Sequence, residues 1–265
     1  MKILVSASEK DVKSPIVSGI REYYYPTEKD PDNHYYSELS TLHHIWKEVD
    51  DDIVGLEHYR RFFIDKTYDP IRNGFNSYKI LNSEKIEHIL SGCDAILIIQ
   101  YEMYPNIMSC LCSEAHLPCG DPNDPQIKQW IFEWLLFIRD KDPDFGNWVF
   151  NTMFHSQAFF ANNMFITKKE IISKYCEYLF PKIEEFAKTK TKLPLRIFGY
   201  FSEYLMGYWF LYNHYSVDAE YKICFTKDLT NVGRFQFTKS EIIDRQTKIN
   251  KMKYEKLSNM RKKVQ

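Results

Sequence analysis

The chain has 265 residues, of which 44% are hydrophobic and 27% are charged, and its formal net charge is −1. The hydrophobic share is enough for a sizeable core and excludes a globally disordered protein, and the length fits one large domain or a domain with an appendage. The balance of 35 basic and 36 acidic residues argues against a nucleic-acid binder, which carries a broad basic surface.

The amino-terminal third predicts a strand, a long loop and a helix. Residues 2–7 form a short apolar run bounded by polar residues, which is typical of a buried strand. Residues 8–34 are polar and contain three prolines, so we expect a loop there. Residues 35–49 carry apolar side chains at helical spacing and predict an amphipathic helix that ends at Asp50-Asp51-Asp52.

The run from His58 to Phe63, His-Tyr-Arg-Arg-Phe-Phe, is the most informative motif of the chain. It follows a predicted strand at residues 53–57, and ligands of open α/β sheets bind beyond the carboxyl ends of strands. Paired Arg side chains match the geometry of a pyrophosphate. An Arg pair that only caps a strand at the surface is the alternative that the spacing leaves open.

The following segments continue the alternation of helices and strands. A helix is predicted from Ser83 to near Gly92, and residues 94–99 are a near-continuous apolar run, typical of a strand buried on both faces. This order predicts an α/β fold with a mainly parallel central sheet flanked by helices. The remaining predicted elements are a loop at 100–123, helices at 127–138 and 148–154, a strand at 159–166 broken by Asn162-Asn163, and helices at 168–186 and 196–212.

Cys110, Cys112, His116 and Cys119 are zinc-capable residues, but Cys-x-Cys is tighter than the usual ligand spacing, so a structural zinc site is disfavoured. The sequence shows no signal peptide and no stretch long enough to span a membrane. We therefore expect a cytoplasmic protein with reduced cysteines.

Residues 239–265 contain nine basic and three acidic residues and a sparse apolar stripe. A basic helix of this kind can lie on an anionic membrane surface, and a solvated terminal helix is the alternative. We predict a globular domain at residues 1–238 and a basic helical tail at residues 239–265. If the tail lies on the membrane, the protein contacts the inner face of the cytoplasmic membrane peripherally.

Eight blocks of the chain occur in the order found in one known family. They lie at residues 2–7 with Lys10, 15–19, 35–40, 45–47, 55–63, 163–169, 175–181 and 196–203. On these blocks, residues 1–215 resemble the bacterial capsule and O-antigen glycosyltransferases catalogued as domain of unknown function 4422. The resemblance implies a GT-A-like fold and transfer of galactose or galactofuranose from a UDP-sugar to a polyprenyl-diphosphate-linked glycan acceptor.

Two departures from the family pattern leave the donor sugar open. Ser8-Glu9 stands where the family tends to carry His-Lys, and Tyr204 stands where an Arg commonly follows the Glu. Both positions lie directly beside blocks of the resemblance, and both departures bear on contacts with the donor.

Glycosyl transfer needs a cationic group on the departing diphosphate and, for inversion, a base near the acceptor hydroxyl. Asp50-x-Asp52 resembles the metal-binding motif of many GT-A enzymes, but it precedes the strand and belongs at the other end of the sheet. We therefore expect Arg60 or Arg61, helped by His58, to bind the diphosphate. No cofactor is then required, and dependence on Mn²⁺ or Mg²⁺ is left open.

Two glutamates are the candidates for catalysis. Glu203, in an aromatic helix, is the first choice for the base or for a ligand of a donor hydroxyl. Glu38, on the inner side of the first predicted helix, is a candidate to bind a sugar hydroxyl or to pair with Arg60. A purely structural ion pair between helix and strand is an equal alternative for Glu38.

Four further residues are candidates for donor binding. Asn163, at the end of its predicted strand, is a candidate to bind the sugar or the acceptor, or to satisfy backbone groups. Ser202 lies beside Glu203. Ala7 and Lys10 belong to residues 5–10, which together with residues 15–19 are expected to frame the nucleobase, as loops at the first strand do in nucleotide-binding sheets.

Two other functions remain alternatives to glycosyl transfer. One is an inactive carbohydrate-binding or scaffolding relative of the same fold, and the other is a nucleotide-sugar hydrolase or phosphotransferase. The sequence contains no glycine-rich phosphate loop, no Gly-x-Ser-x-Gly elbow and no dinucleotide fingerprint. These absences narrow the enzyme alternatives.

Overall fold

A computed structural model gives the fold. It describes residues 1–8, 10–11, 13–14, 16–26, 33–65, 79–102, 105–112, 125–225 and 232–235. These residues lie in one compact unit, Met1–Phe235. The predicted tail at 239–265 and the predicted boundary at 238 lie outside the described residues, so both stay predictions.

The described elements alternate strands with helices along the chain. The strands are β1 (Lys2–Ser6), β2 (Arg21–Tyr24), β3 (Ile53–His58), β4 (Arg61–Ile64), β5 (Ala95–Glu102), β6 (Ala158–Lys168), β7 (Val217–Phe225) and β8 (Val232–Phe235). The helices are α1 (Asn33–Tyr36), α2 (Glu38–Glu48), α3 (Ser83–Leu90), α4 (Ile107–Cys112), α5 (Pro125–Lys141), α6 (Pro143–His155), α7 (Lys169–Lys188), α8 (Ile197–Glu203) and α9 (Met206–Tyr212).

The central sheet is mainly parallel, as predicted. β1 pairs in parallel with β2 on one side and β3 on the other, and β5 pairs in parallel with β7. β6 lies antiparallel between β3 and β5. β4 forms a hairpin with β3 and pairs antiparallel with β7, which carries β8, so a small antiparallel extension joins the main sheet.

Helices cover both faces of the sheet, with the larger core on one side. Leu39, Leu42 and Ile45 recur at helical spacing on α2 and are fully buried together with Leu4 and Leu56 of the sheet. Each such side chain contributes about 1.5–3 kcal/mol when it is removed from water. The opposite face, which includes Ile3, is covered by α3.

The predicted loop at residues 8–34 is wrong in part, because it contains β2 and the start of α1. Arg21 begins β2 and is only 7% exposed. Its guanidinium donates two hydrogen bonds to Glu57, at 2.7 and 3.1 Å, and one to the carbonyl of Leu81 at 2.9 Å. The short polar segment is therefore a strand because a partner 36 residues away neutralises its buried charge.

Two predicted helices are interrupted in the structure. The helix predicted at 35–49 is divided at Ser37, whose φ of 52° lies in the left-handed region. The helix predicted at 196–212 is divided between α8 and α9, where Tyr204 and Leu205 are both fully buried. Both helices are buried on all sides, since every residue of α8 and the first five residues of α9 are buried.

The helix predicted at 148–154 begins earlier, at Pro143. Asp142 caps it by accepting a hydrogen bond from the backbone N–H of Phe145 at 3.3 Å, and Pro143 occupies the first turn, where its missing N–H costs nothing. None of the helices in the described ranges has both the length and the apolar composition needed to cross a bilayer.

Candidate functional site

The carboxyl ends of β2, β1 and β3 meet at one edge of the sheet. Ser6 is in register with Tyr24 on β2 and with His58 on β3, and its carbonyl accepts a hydrogen bond from the N–H of Tyr59 at 3.0 Å. Because β2 and β3 lie on opposite sides of β1, the edge between β1 and β3 is a topological switch point, where α/β sheets bind ligands. The predicted placement of His58 at a strand end on this edge is confirmed.

Glu38 is a buried carboxylate at this edge. It begins α2, is 5% exposed, and accepts hydrogen bonds from the side chains of Asn163, at 2.8 Å, and Ser37. These partners, and not the predicted Arg60, hold the carboxylate. Gly199 on α8 lies against it, since a Cβ built there would be 3.1 Å from Glu38 Oε1.

A bulge in β6 brings two asparagines to the site. The φ angles of Asn162 and Asn163 are 71° and 49°, and the pairing of β6 with β5 shifts register across them. Asn is one of the few residues that adopt this left-handed conformation readily. Asn163 therefore lies within β6 rather than at its end as predicted.

The bulge points each asparagine at a different partner. The carbonyl of Asn162 accepts a hydrogen bond from His58 Nε2 at 2.6 Å, and its side-chain oxygen accepts one from Lys222. Asn163 Nδ2 donates to Glu38 Oε1 at 2.8 Å and to the carbonyl of Gly199 at 2.9 Å. Asn163 Oδ1 is buried and accepts no hydrogen bond from the described residues.

Left-handed backbone is concentrated around Glu38. Five non-glycine residues of the described part have positive φ, and four of them, Ser37, Asn162, Asn163 and Arg196, interact with Glu38 or His58. Such conformations cost about 1–3 kcal/mol each and cluster at functional sites. Their concentration shows that the surrounding structure fixes the backbone around the carboxylate and the imidazole.

His58 is an imidazole that burial keeps neutral. Burial, and then the positive charge of Arg61, lowers the pKa of His58 to about 4, against the opposing effects of Glu38 and the Asn162 carbonyl. Burial alone would raise the pKa of Glu38. The charge of His58, the hydrogen bonds from Ser37 and Asn163, and the charge of Arg196 lower it instead. At neutral pH the site therefore holds a neutral imidazole beside a carboxylate.

Three cationic side chains lie on the β3–β4–β7 side of the site. Arg60 is in the turn after β3, half-buried, with its guanidinium 5.5 Å from the ring of Tyr59. Arg61 begins β4 and is half-buried, and Lys222 on β7 is buried against Asn162. The charges of Arg61 and Lys222 both act on His58. Lys222 was not predicted, because only the pairing of β7 with β4 brings it here.

The other three predicted donor-binding residues, Ala7, Lys10 and Ser202, have different surroundings in the structure. Ala7 follows β1 on the same edge, and its N–H donates to the carbonyl of Tyr24 at 3.1 Å. Lys10 is exposed beyond it. Ser202 is fully buried, and its hydroxyl lies 2.8 Å from the hydroxyl of Tyr175, so it joins α8 to α7. The structure thus shows a buried hydrogen bond between Ser202 and α7, and the donor-binding role of Ser202 stays a prediction.

Glu203 is the last residue of α8 and is 6% exposed. It follows Gly199 by four residues, and side chains four apart lie on the same face of a helix. Since Gly199 packs against Glu38, Glu203 lies one helical turn further along the face that borders the site.

Two sequence motifs contain metal-binding residue types, and neither was expected to bind a metal ion. Asp51 pairs with the amino terminus of Met1 at 2.6 Å, and the carbonyl of Asp52 accepts a hydrogen bond from the N–H of Lys169, so this motif lies at the opposite edge as expected. Of the cysteine cluster, Cys110 is buried and Cys112 is exposed, while His116 and Cys119 lie outside the described residues. Within the described ranges, no group of three or more His, Cys, Asp or Glu residues is placed to hold a metal ion.

Residues 30–214, more than half of the chain, match the profile of the family described as Domain of unknown function (DUF4422). The chain belongs to this family. The match confirms the resemblance, and it spans every element of the Glu38 and His58 cluster except β1 and β7.

A comparison with curated proteins finds no match for this DUF4422 chain. Its fold is similar to that of the apo structure of the WbbM bifunctional glycosyltransferase, with a TM-score of 0.62 and 18% sequence identity. The aligned region covers 89% of this chain and 46% of the WbbM chain, so the DUF4422 chain spans about half of the WbbM length. This likeness confirms the predicted GT-A-like α/β fold.

Proposed function

We propose that this DUF4422 protein is a glycosyltransferase that moves galactose or galactofuranose from a UDP-sugar to a polyprenyl-diphosphate-linked oligosaccharide, in capsule or O-antigen biosynthesis. The observation that carries the proposal is the Glu38, His58 and Asn163 cluster at the switch point of a GT-A-like sheet. Adjoining cations can stabilise the departing diphosphate of a nucleotide sugar, and a carboxylate and a neutral imidazole can orient the reacting hydroxyls.

The diphosphate of the donor would bind at the cationic side of the cluster. Arg60 and Arg61 are half-buried and lie at the carboxyl end of β3, where a guanidinium can form two parallel hydrogen bonds to phosphate oxygens. Lys222 adds a fixed positive charge close by. These charges would stabilise the leaving diphosphate, so we propose that no metal ion is required. Dependence on Mn²⁺ or Mg²⁺ is the alternative that the experiments below address.

The sugar would bind at the acidic side of the cluster. Glu38 accepts hydrogen bonds from its neighbours and can accept a further one from a sugar hydroxyl, while Asn163 Oδ1 is an acceptor with no donor among the described residues. Glu203, one helical turn along α8, is the proposed base for the acceptor hydroxyl. Ala7 and Lys10, at the end of β1, would frame the nucleobase.

The basic tail at residues 239–265, which lies outside the described residues, would bring the protein to the membrane that holds the lipid-linked acceptor. The support is its composition alone, nine basic against three acidic residues. The full chain should sediment with anionic phosphatidylglycerol vesicles and be released at high salt. Equal binding to neutral phosphatidylcholine vesicles would contradict this part of the proposal.

Two measurements test the donor. Thermal shifts with UDP, GDP, CMP, dTDP and their common sugars, with Mn²⁺ or with EDTA, identify the nucleotide, because a ligand at a hundred times its Kd adds about 2.7 kcal/mol. UDP release is then measured with a lipid-linked acceptor. Glu203→Gln should abolish release while UDP still stabilises the protein, and the exposed control Glu177→Gln should be unaffected.

The outcomes separate the alternatives. Stabilisation by a UDP-sugar with acceptor-dependent release in EDTA supports the proposal, and complete loss in EDTA that Mn²⁺ restores would refute metal independence. Donor breakdown without acceptor would indicate a hydrolase. No shift with any nucleotide would indicate an inactive binding relative.

A further inference from the structure

We infer that a second site, an aromatic cleft beside β2, binds a single sugar ring of the acceptor glycan. The inference rests on the proposed function and names a substrate subsite for it. The cleft has a volume of about 290 Å³ and lies between α2, α7 and the carboxyl end of β2. Phe180, which is buried, forms its floor, and Tyr24, Tyr36, His43 and His44 form its walls.

The rings of the cleft are held by contacts with each other. Tyr24 stacks on His44 with centroids 4.3 Å apart and planes 18° apart. His43 meets Phe180 edge-on at 5.1 Å, and Tyr36 lies 6.4 Å from the same ring. A set of ordered aromatic faces packs well against the C–H face of a sugar ring, and their polar edges can bond its hydroxyls.

The charges at the rim favour binding of a neutral sugar over binding of a phosphate. Lys47 is the cation there, and Glu48 and Glu184 are both exposed carboxylates, so the formally charged side chains sum to one negative charge. That balance repels a diphosphate, which the proposed donor site would attract with Arg60 and Arg61. Carboxylates and imidazoles suit the many hydroxyl donors and acceptors of a sugar.

The size of the cleft also selects a small ligand. Pockets for drug-sized ligands span about 300–1,000 Å³, and this cleft is at the lower end of that range. It can accommodate one monosaccharide unit and not a whole nucleotide sugar.

The sheet register places the cleft next to the donor site. Tyr24, Ser6 and His58 align across three neighbouring strands. Since adjacent strands are about 4.8 Å apart, Tyr24 lies about 10 Å from His58 along the sheet edge. Tyr36 of the cleft is also two residues from Glu38 in the chain. A sugar in the cleft therefore belongs to a glycan whose end can reach the donor.

Saturation-transfer NMR with methyl β-D-galactopyranoside and with methyl β-D-galactofuranoside tests the cleft without needing turnover. His43→Ala combined with His44→Ala should weaken saccharide binding at least tenfold, because two of the four walls are removed. Ser40→Phe, which fills the cleft from α2, should also weaken saccharide binding, and it leaves the side chains that form the walls in place. The control His88→Ala, exposed on α3, should bind as the wild type does.

The thermal shift with UDP separates this inference from the proposed function. Loss of saccharide binding in both cleft variants with an unchanged UDP shift would support the cleft as the acceptor subsite. Unchanged saccharide binding in both variants, or no saccharide binding by a wild-type protein that UDP stabilises, would overturn it. Saccharide binding at the cleft without any nucleotide shift would overturn the donor proposal and leave a carbohydrate-binding site.

Discussion

Asn163 holds Glu38 in place across 125 residues of chain, with its amide nitrogen 2.8 Å from Oε1 of the carboxylate. The same nitrogen donates to the carbonyl of Gly199, so both of its hydrogens are used and the orientation of the amide is determined. The bulge of β6, the start of α2 and the helix α8 are thereby joined at one carboxylate. A position joined in this way tolerates little movement.

Replacing Asn163 with Asp should damage both folding and activity. The change removes the donor and buries a second carboxylate against Glu38, which should lower the free energy of unfolding by about 3 kcal/mol. UDP release should fall at least a hundredfold under conditions where the variant remains folded. Urea unfolding and UDP release measure the two effects. Asn147→Asp, exposed on α6, is the matched control, and equal stability of the two variants would contradict the proposed role of Asn163.

His58 should make the protein less stable as the pH falls below 6.5. Its pKa is about 4 in the folded protein against 6.5 in the unfolded chain, so the unfolded state binds more protons between these values. The stability that the neutral imidazole provides is thus complete above 6.5 and is lost toward pH 4. From pH 7.5 to pH 5 the loss should be about 2 kcal/mol.

His58→Gln tests this dependence, because Gln stays neutral and its amide can still donate to the carbonyl of Asn162. Urea midpoints between pH 7.5 and pH 5 should be flatter in this variant than in the wild type. In the wild type the lowered pKa of Glu38 places its own loss of stability below that range. His58→Gln also removes the charge that contributes most to lowering this pKa, so the slope of the variant includes a rise in the pKa of Glu38. His88→Gln, exposed on α3, should keep the wild-type slope. Equal slopes in all three proteins would show that His58 titrates normally.

Much of the fold follows from local patterns. The centres of β1, β3 and β5, at residues 3–5, 54–56 and 95–98, are apolar, so their burial was predictable from the sequence alone. β2 was not, because its first residue, Arg21, is buried only in the presence of Glu57, which belongs to another strand. A contact between distant residues overrode the polar character of the segment.

Part of the candidate site was also predictable from local signals in the sequence. His58 and Glu38 were found because a charged motif after a strand and a carboxylate on a helix face are local signals. Lys222 and the carbonyl of Asn162 were missed, since they reach His58 only through the pairing of β7 with β4 and the bulge of β6. Of the alternatives for Glu38, the pairing with Arg60 is not formed in the structure, and the carboxylate accepts hydrogen bonds from Asn163 and Ser37 instead.

Arg61→Gln should weaken donor binding while leaving the fold intact. Hydrogen bonds to charged groups contribute about 1.5–3 kcal/mol, so the Kd for UDP should rise tenfold to a hundredfold. Because Arg61 is half-buried, the free energy of unfolding should change by less than about 1 kcal/mol. Calorimetric titration with UDP gives the affinity, and Arg139→Gln, exposed on α5, is the control.

The pKa of His58 distinguishes an electrostatic effect of Arg61 on His58 from a direct contact of Arg61 with the diphosphate. The positive charge of Arg61 lowers the pKa of His58, so the variant should raise that pKa. An NMR titration of the histidine ring signals measures the change. A raised histidine pKa with unchanged UDP affinity would show that Arg61 acts only on His58 and does not contact the diphosphate.

Gly199→Ala should separate activity from stability. In a helix, Ala is favoured over Gly by up to about 1 kcal/mol, but its Cβ would lie 3.1 Å from Glu38 Oε1, which Asn163 holds in place. The carboxylate must then move by a few tenths of an ångström. We expect UDP release to fall tenfold to a hundredfold while the free energy of unfolding changes by no more than about 1 kcal/mol.

Gly92→Ala is the matched control for this change, because its nearest neighbour, the carbonyl oxygen of Ile89, would lie at an ordinary 3.7 Å. If Gly199→Ala retained full activity, the position of Glu38 would not matter to the reaction, and the carboxylate would be a structural link between α2, β6 and α8. If it lost activity together with several kcal/mol of stability, the packing of α8 and not the carboxylate would be responsible. Loss of activity at nearly unchanged stability is the result that only a functional carboxylate predicts.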